Sequence, residues 1–174
     1  EVRVLNVESD APFGTLYIRD WRSTREEDWR YLGPIYGDAP IPRGFALKLE
    51  ISAQDSLQLD VLKSLTPNIL HTIAFARDTT VTASMLAALA PQRSLEVLIL
   101  DQTVIAPGAL SSISSLPRLK SLGLNQASFD EAELLYLRNI PWLEDLNVSA
   151  TSISDESLSH LTSITELETL DAHS

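Results

Sequence analysis

Residues 95–118 read LEVLILDQTVIAPGALSSISSLPR, residues 119–142 LKSLGLNQASFDEAELLYLRNIPW and residues 143–166 LEDLNVSATSISDESLSHLTSITE; at 167 the phrase begins again as LETLDAHS. The openings at Leu95, Leu119, Leu143 and Leu167 stand 24 residues apart. Apolar residues recur at places 1, 4, 6, 11, 16, 19 and 22 of each phrase. Neither the strand period nor the helix period alone produces this spacing, whereas a repeated strand-plus-helix unit does. Places 4 and 6 alternate with polar residues, so they point from a short parallel strand into a core. Places 16, 19 and 22 (Leu110, Ile113, Leu116; Leu134, Leu137, Ile140; Leu158, Leu161, Ile164) lie three apart, which suits a short α- or 3₁₀-helix with one buried stripe. Helix starts are marked by Asp130 with Glu133, by Ser154 followed by Asp155 and Glu156, and by Pro107, while Pro117 and Pro141 help to end helices.

Two degenerate units precede the clear ones. Ala46, Leu49 and Ile51 supply the first array strand, backed by Leu57, Leu62 and Leu65; Leu70, Ile73 and Phe75 supply the second, backed by Val81, Met85 or Leu86, and Leu89. Leu49 to Ile73 is 24 residues but Ile73 to Leu98 is 25, which predicts one inserted residue, placed in the loop around Ala90–Ser94. Residues 1–44 lack the period. There EVRVLNV alternates as a strand through Val2 and Val4, Glu8–Gly14 is a turn cluster, Leu16–Trp21 is a second strand, and Thr24 with Glu27 opens a short helix through Trp29 and Leu32 that Gly33-Pro34 stops. Because an array exposes a sheet edge and core at each end, the segment is expected to cap it, with Trp21, Trp29, Tyr31 and Tyr36 filling a small cap core.

The pattern resembles the leucine-rich repeat family, in its bacterial 24-residue variety L-x-x-L-x-L-x-x-T-x-V-T-D-x-x-L. The residues that carry the resemblance are L-x-x-L-x-L at the head of each unit, then Thr103–Ile105, Ala127–Phe129 and Thr151–Ile153, and helical tails such as Leu158-Ser159-His160-Leu161. The resemblance covers roughly three quarters of the chain and implies an α/β leucine-rich repeat solenoid. One strand and one helix per unit give a curved parallel sheet on the concave side and short helices on the convex side. The expected division is a β-rich N-terminal cap over 1–44 and, over 45–174, about five repeats plus the start of a sixth. The family often carries Asn, Cys or Thr at the ninth place, where the side chain satisfies loop backbone. Here Thr103 and Thr151 keep that capacity and Ala127 does not, at a local cost of ~1 kcal/mol.

Composition narrows the function classes. Of 174 residues, 44% are hydrophobic and 21% charged, as in a folded protein. The balance of 24 Asp and Glu against 13 Lys and Arg, net −11, argues against nucleic acid and anionic membranes as partners and also serves solubility. The absence of cysteine removes disulfides, thiolate metal sites and a cysteine nucleophile. No apolar run approaches the ~18–20 residues of a membrane span. The chain opens on Glu1 rather than Met, which fits a soluble protein from which an export signal or upstream segment has been removed; the compartment stays open.

The outward strand places form the candidate surface. Most are small or polar, but Val97 and Ile99 put two β-branched apolar residues toward solvent. One reading makes them the centre of a partner groove with Asp101, Ser121, Asn125, Asp145 and Asn147 around it; the other makes them simply good strand formers. Asp145, Asn147 and Asp171 on neighbouring strands suggest a carboxylate pair or a calcium site, although carboxylates on a solvated sheet are ordinarily just solvated. His71, His160 and His173 join no catalytic fingerprint, and family-like units often place His where His160 stands, in a structural role. Asn147-Val148-Ser149 is a glycosylation sequon in a poor, strand-interior setting. The leading expectation is a non-catalytic protein-interaction module with no cofactor and no metal, bound to its protein partner on the concave face. An alternative is a spacer or self-assembly element of a larger bacterial protein, associating through Leu167 and Leu170; a carboxylate-based hydrolase is a distant third.

Overall fold

The computed structural model describes residues 3–7, 13–35, 37–51 and 58–173. Val2, Tyr36, Ser52, Leu57 and most of the turn cluster (residues 8–12) lie outside the described residues. In chain order the strands are β1 (Arg3–Leu5), β2 (Gly14–Asp20), β3 (Arg30–Ile35), β4 (Ala39–Ile41), β5 (Phe45–Ile51) and β6 (Thr72–Phe75). They continue with β7 (Thr80–Val81), β8 (Val97–Ile99), β9 (Val104–Ile105), β10 (Ser121–Gly123), β11 (Asp145–Asn147) and β12 (Thr169–Asp171). Eight of them make one sheet in the order β12-β11-β10-β8-β6-β5-β2-β3. It is parallel from β5 to β12, and β2 and β3 add antiparallel beside β5. β1 pairs with β4 and β7 with β9 in two small separate sheets.

The repeat dictates this arrangement. Leu49, Ile73, Leu98, Leu122, Leu146 and Leu170 stand side by side in register, and all but the last are buried. Place 6 forms a second inner column of Ile51, Phe75, Leu100, Leu124 and Val148. Behind the sheet lie α1 (Gln58–Ser64), α2 (Ala83–Ala88), α3 (Asp155–Ser159) and 3₁₀ helices at Ala109–Ser115, Glu131–Asn139 and His160–Ser163. Their stripes, with Leu62, Leu86, Leu110 and Leu134 recurring 24 residues apart, complete the core. The expected caps form: Asp130 accepts from the Ala132 N–H at 2.9 Å and Ser154 from the Ser157 N–H at 3.3 Å. Thr103 Oγ1 donates to the Leu100 carbonyl at 2.7 Å, and Thr151 does the same to Val148, a bond Ala127 lacks. The turns after β6, β8, β10 and β11 each leave the sheet through a left-handed residue (Asp78, Gln102, Gln126, Ala150). That conformation is costly for a residue with a Cβ. It is held by an N–H bond to the following repeat at each of the four, for example Gln102 to the Asn125 carbonyl at 2.8 Å.

Four expectations are corrected. The Thr24–Leu32 helix is only a 3₁₀ turn at Glu26–Asp28, and Arg30–Ile35 is instead the edge strand β3. Pairing with β2 outweighs the local capping signal, and Pro34 is tolerated because an edge strand needs no N–H on its open side. The inserted residue lies between Phe75 and Thr80, not near Ala90–Ser94. Ala74 aligns with Ile99, 25 residues on, but Thr80 aligns with Val104, only 24 on. Trp21 and Tyr31 do not fill a cap core: they are 62% and 67% exposed. The outward strand places are not all open to solvent: Lys48 and Thr72 are buried, Lys48 beneath a turn described below.

Polar side chains, two of them buried, stitch successive repeats. Glu133, one of the two, accepts from the Gly108 and Leu110 N–H groups of the preceding helix start. Glu131 does the reverse, accepting from Ser154 and Ser157 of the following repeat, and these bonds hold its carboxyl below the usual range. Gln92 occupies place 22, where later repeats carry Leu116, Ile140 and Ile164, and is 1% exposed. Its Oε1 accepts from the Ile69 and Leu70 N–H groups at 3.2 and 3.4 Å, and its Nε2 donates to the Thr66 carbonyl at 2.8 Å. Gln92→Leu, although it restores the repeat consensus, leaves those backbone groups unpaired. It is expected to lower unfolding free energy by about 2–4 kcal/mol in urea denaturation; an unchanged midpoint would show that water replaces the amide.

Candidate functional site

The face of the sheet turned away from the helices is organised in columns by the parallel register. Lys48, Thr72, Val97, Ser121, Asp145 and Thr169 form one column, and Glu50, Ala74, Ile99, Gly123, Asn147 and Asp171 the next. In the second column large and small residues alternate around Ile99: Ala74 on one side and Gly123 on the other. The result is a trough of about 320 Å³ floored by Ser121 and Gly123, walled on one side by Val97 and Ile99 and on the other by Asp145, Asn147, Thr169 and Asp171. Val97 and Ile99 are half-buried, flanking a floor with almost no side chain.

Five of the expected residues (Val97, Ile99, Ser121, Asp145 and Asn147) thus share this trough. Asp101 lines a neighbouring hollow of about 340 Å³ beyond Ile99, floored by Ala74 and Ala76. Its carboxylate nevertheless leans back across Gly123: a Cβ on Gly123 would stand 2.7 Å from Asp101 Oδ1. Asn125 lines neither hollow; its backbone N–H donates to Asp101 Oδ1 at 3.0 Å. Burial pushes the Asp101 carboxyl above the usual range, opposed by that N–H bond. Asn147 folds its side chain back to accept from the Ser149 N–H at 2.9 Å. His160 is exposed on the helix side, and His173 near the last strand is exposed too. Among the described residues no group of three His, Cys, Asp or Glu could hold a metal ion.

The sequence did not reveal the wall at the N-terminal end of this face. The Glu26–Asp28 turn crosses over the outward side of β2 and β5. Trp29 stacks on the Arg19 guanidinium at 4.3 Å, Arg19 donates to the Arg25 carbonyl at 3.3 Å, and Lys48 pairs with Glu26 at 3.1 Å and Glu50 at 3.2 Å. Arg19 and Lys48 are each only 8% exposed as a result. His71 continues the wall, with its ring 6.2 Å from Trp29 and its Nε2 3.7 Å from Glu96. Burial drives the His71 imidazole below its usual value, more than Glu96 raises it, and Arg19 adds to the depression. Along the rim at place 2, Lys120 binds Glu144 at 2.8 Å, which raises the lysine above its usual range.

Strand, left-handed turn, short helix and return recur every 24 residues with their leucines in register. The fold is of the leucine-rich repeat type. Among solved structures the chain is similar to an internalin (InlF) from Listeria monocytogenes, at 16% identity over 72% of this chain and 48% of that one, with a TM-score of 0.39. It is also similar to an internalin C2 (InlC2) from the same species, at 14% identity over 72% of this chain and 80% of that one, with a TM-score of 0.35. The chain therefore spans about half the length of the first internalin. No protein-family model and no curated relative matches the sequence.

The state of Asp101 is open to measurement. Its folded-state pKa is raised, so the protonated form is the one favoured by folding; that advantage is complete below the unfolded carboxylate value of 3.8 and is lost as pH rises through the folded value. Asp101→Asn keeps an oxygen for the Asn125 N–H without the cost of a desolvated charge. The variant is expected to equal or exceed the wild type in stability at pH 7, with the gap closing toward pH 3 in thermal melts. A variant less stable at pH 7 and equal at pH 3 would reverse the assignment.

Proposed function

We propose that the chain is a non-catalytic protein-interaction module whose partner seats on the concave, outward face of the sheet. The observation that carries this reading is the trough: two half-buried apolar side chains, Val97 and Ile99, beside a floor of Ser121 and Gly123 and ringed by polar groups. An apolar centre within a polar rim is the anatomy of a protein interface. In the same reading residues 1–44 cap the repeats of 45–174: β2 and β3 take up the free side of β5, and the Glu26–Trp29 turn sets where the groove begins. The double variant Val97→Glu, Ile99→Asp changes only outward side chains and should keep the circular dichroism spectrum of the wild type. In affinity capture from lysate and envelope fractions of the source organism, a protein held by the wild type and lost by the variant is the expected result. A partner retained equally by both would place the binding surface elsewhere.

A second reading is favoured by the last strand. Leu170, inward-facing in register with Leu146, is 42% exposed, and among the described residues β12 pairs with β11 alone. This edge supports self-association of the chain through Leu167 and Leu170, as in an assembly element. Light scattering after gel filtration is expected to show a concentration-dependent dimer that Leu170→Lys converts to monomer; a wild type that stays monomeric at high concentration removes the reading.

A further inference from the structure

The charges on the outward face are unequally matched. Lys48 is spent between Glu26 and Glu50, and Lys120 on Glu144. Asp101, Asp145 and Asp171 have no cation of the described residues within ion-pair distance. Two of these, Asp145 and Asp171, stand diagonally on adjacent strands at one wall of the trough, and the third lines the neighbouring hollow with its carboxylate leaning over Gly123. From the apolar wall of Val97 and Ile99 it is two strand spacings, roughly 10 Å, to Asp145 and three, roughly 14 Å, to Asp171, over a floor that offers no side chain beyond Ser121. The trough is therefore apolar at its β8 wall and anionic at its β11 and β12 wall. An apolar side chain placed there would bury carboxylates without a partner, which is costly. An ammonium can bridge two carboxylates, as Lys48 does, but it is a compact, strongly hydrated point charge with no flat face to lay on an apolar wall. A planar guanidinium on an apolar stem can lie along Ile99 and present its fork of donors to both.

We propose that the trough takes an arginine side chain from a protein partner, its stem along Val97 and Ile99 above Gly123 and its guanidinium between Asp145 and Asp171. This rests on the docking face proposed above and adds the chemistry of what docks there. The net charge of −11 draws basic partners toward the molecule in general, so the test must separate this trough from the general field.

The experiment selects phage-displayed random dodecapeptides on the folded protein and measures the enriched peptides by fluorescence polarisation at 50 and 500 mM NaCl. The expected result is enrichment of peptides with an arginine beside an apolar residue. Replacing that arginine by Gln should weaken binding roughly tenfold and replacing it by Lys should weaken it less. The protein variant Asp145→Asn, Asp171→Asn should lose a similar factor and then be indifferent to the Arg→Gln change in the peptide. The variant Asp155→Asn, Glu156→Gln, which removes two charges on the helix side, should bind as the wild type does; all variants are checked by circular dichroism. Peptides that are lost on Val97→Glu, Ile99→Asp but do not depend on arginine overturn the arginine assignment and leave the docking face standing. Peptides insensitive to both trough variants, or equally weakened by the helix-side variant, overturn the assignment and count against the face as well. A library that yields no binder overturns the assignment, since the trough as described needs only one side chain and its neighbours.

Discussion

No 24-residue unit of this chain can bury its own leucines. A strand of three residues and a short helix offer one apolar stripe each, and both stripes stay wet until another copy is stacked against them. The register of the parallel strands is what solves this. Once Leu98 aligns with Ile73 and Leu122, places 6, 16, 19 and 22 align as well, and the core becomes continuous along the array. The same register supplies the backbone bonds at each turn, where a left-handed residue with a Cβ would otherwise be strained. Burial and hydrogen bonding therefore select one phase, and a slip of one residue would lose both at every repeat.

The polar residues that bridge repeats, Gln92 and Glu133 in the interior and Glu131 nearer the surface, obey the same phase. Gln92, Glu133 and Glu131 each bond to groups in a neighbouring repeat, 22 to 26 residues away in sequence. They substitute for regular features rather than adding to them. Gln92 stands where a leucine or isoleucine is expected and satisfies the backbone of the irregular Thr66–Leu70 return, and Glu133 does for the Gly108–Leu110 helix start what no local cap does there. An irregular stretch in a repeat array leaves backbone groups that the ladder does not reach, and a long buried amide or carboxylate is the least disruptive way to meet them.

This explains what could be read from the sequence. The strand, the helix stripe, the caps at Asp130 and Ser154 and the outward columns depend on spacing within one unit, and spacing is printed in the chain. The inserted residue was countable but not placeable, because Ile73 and Leu98 are anchors with nothing between them that fixes phase; only the β7–β9 pairing assigns it to the turn after Phe75. The helix expected from Thr24 and Glu27 rested on a local signal that loses to a sheet edge distant in sequence. The wall over Lys48 is of the same kind. Nothing near Trp29 in sequence announces that it will lie on Arg19 or that Glu26 will reach Lys48, and so the burial of Arg19 and Lys48 is not legible in the chain.

In such an array the inward places carry the fold and the outward places are nearly free of it, so a surface can be composed residue by residue without disturbing the core. Gly123 is where that separation fails. Its missing Cβ opens the trough, and the same vacancy admits Asp101 from the preceding repeat, whose carboxylate then reaches the Asn125 N–H that the strand ladder leaves unpaired. The backbone is satisfied by a charge that pays in desolvation, and the charge ends up facing a hollow rather than bulk water. A repeat turn closed this way leaves an anionic group lodged beside an apolar ridge, so the shape of the trough and its chemistry have one origin, the absence of a side chain at one strand position.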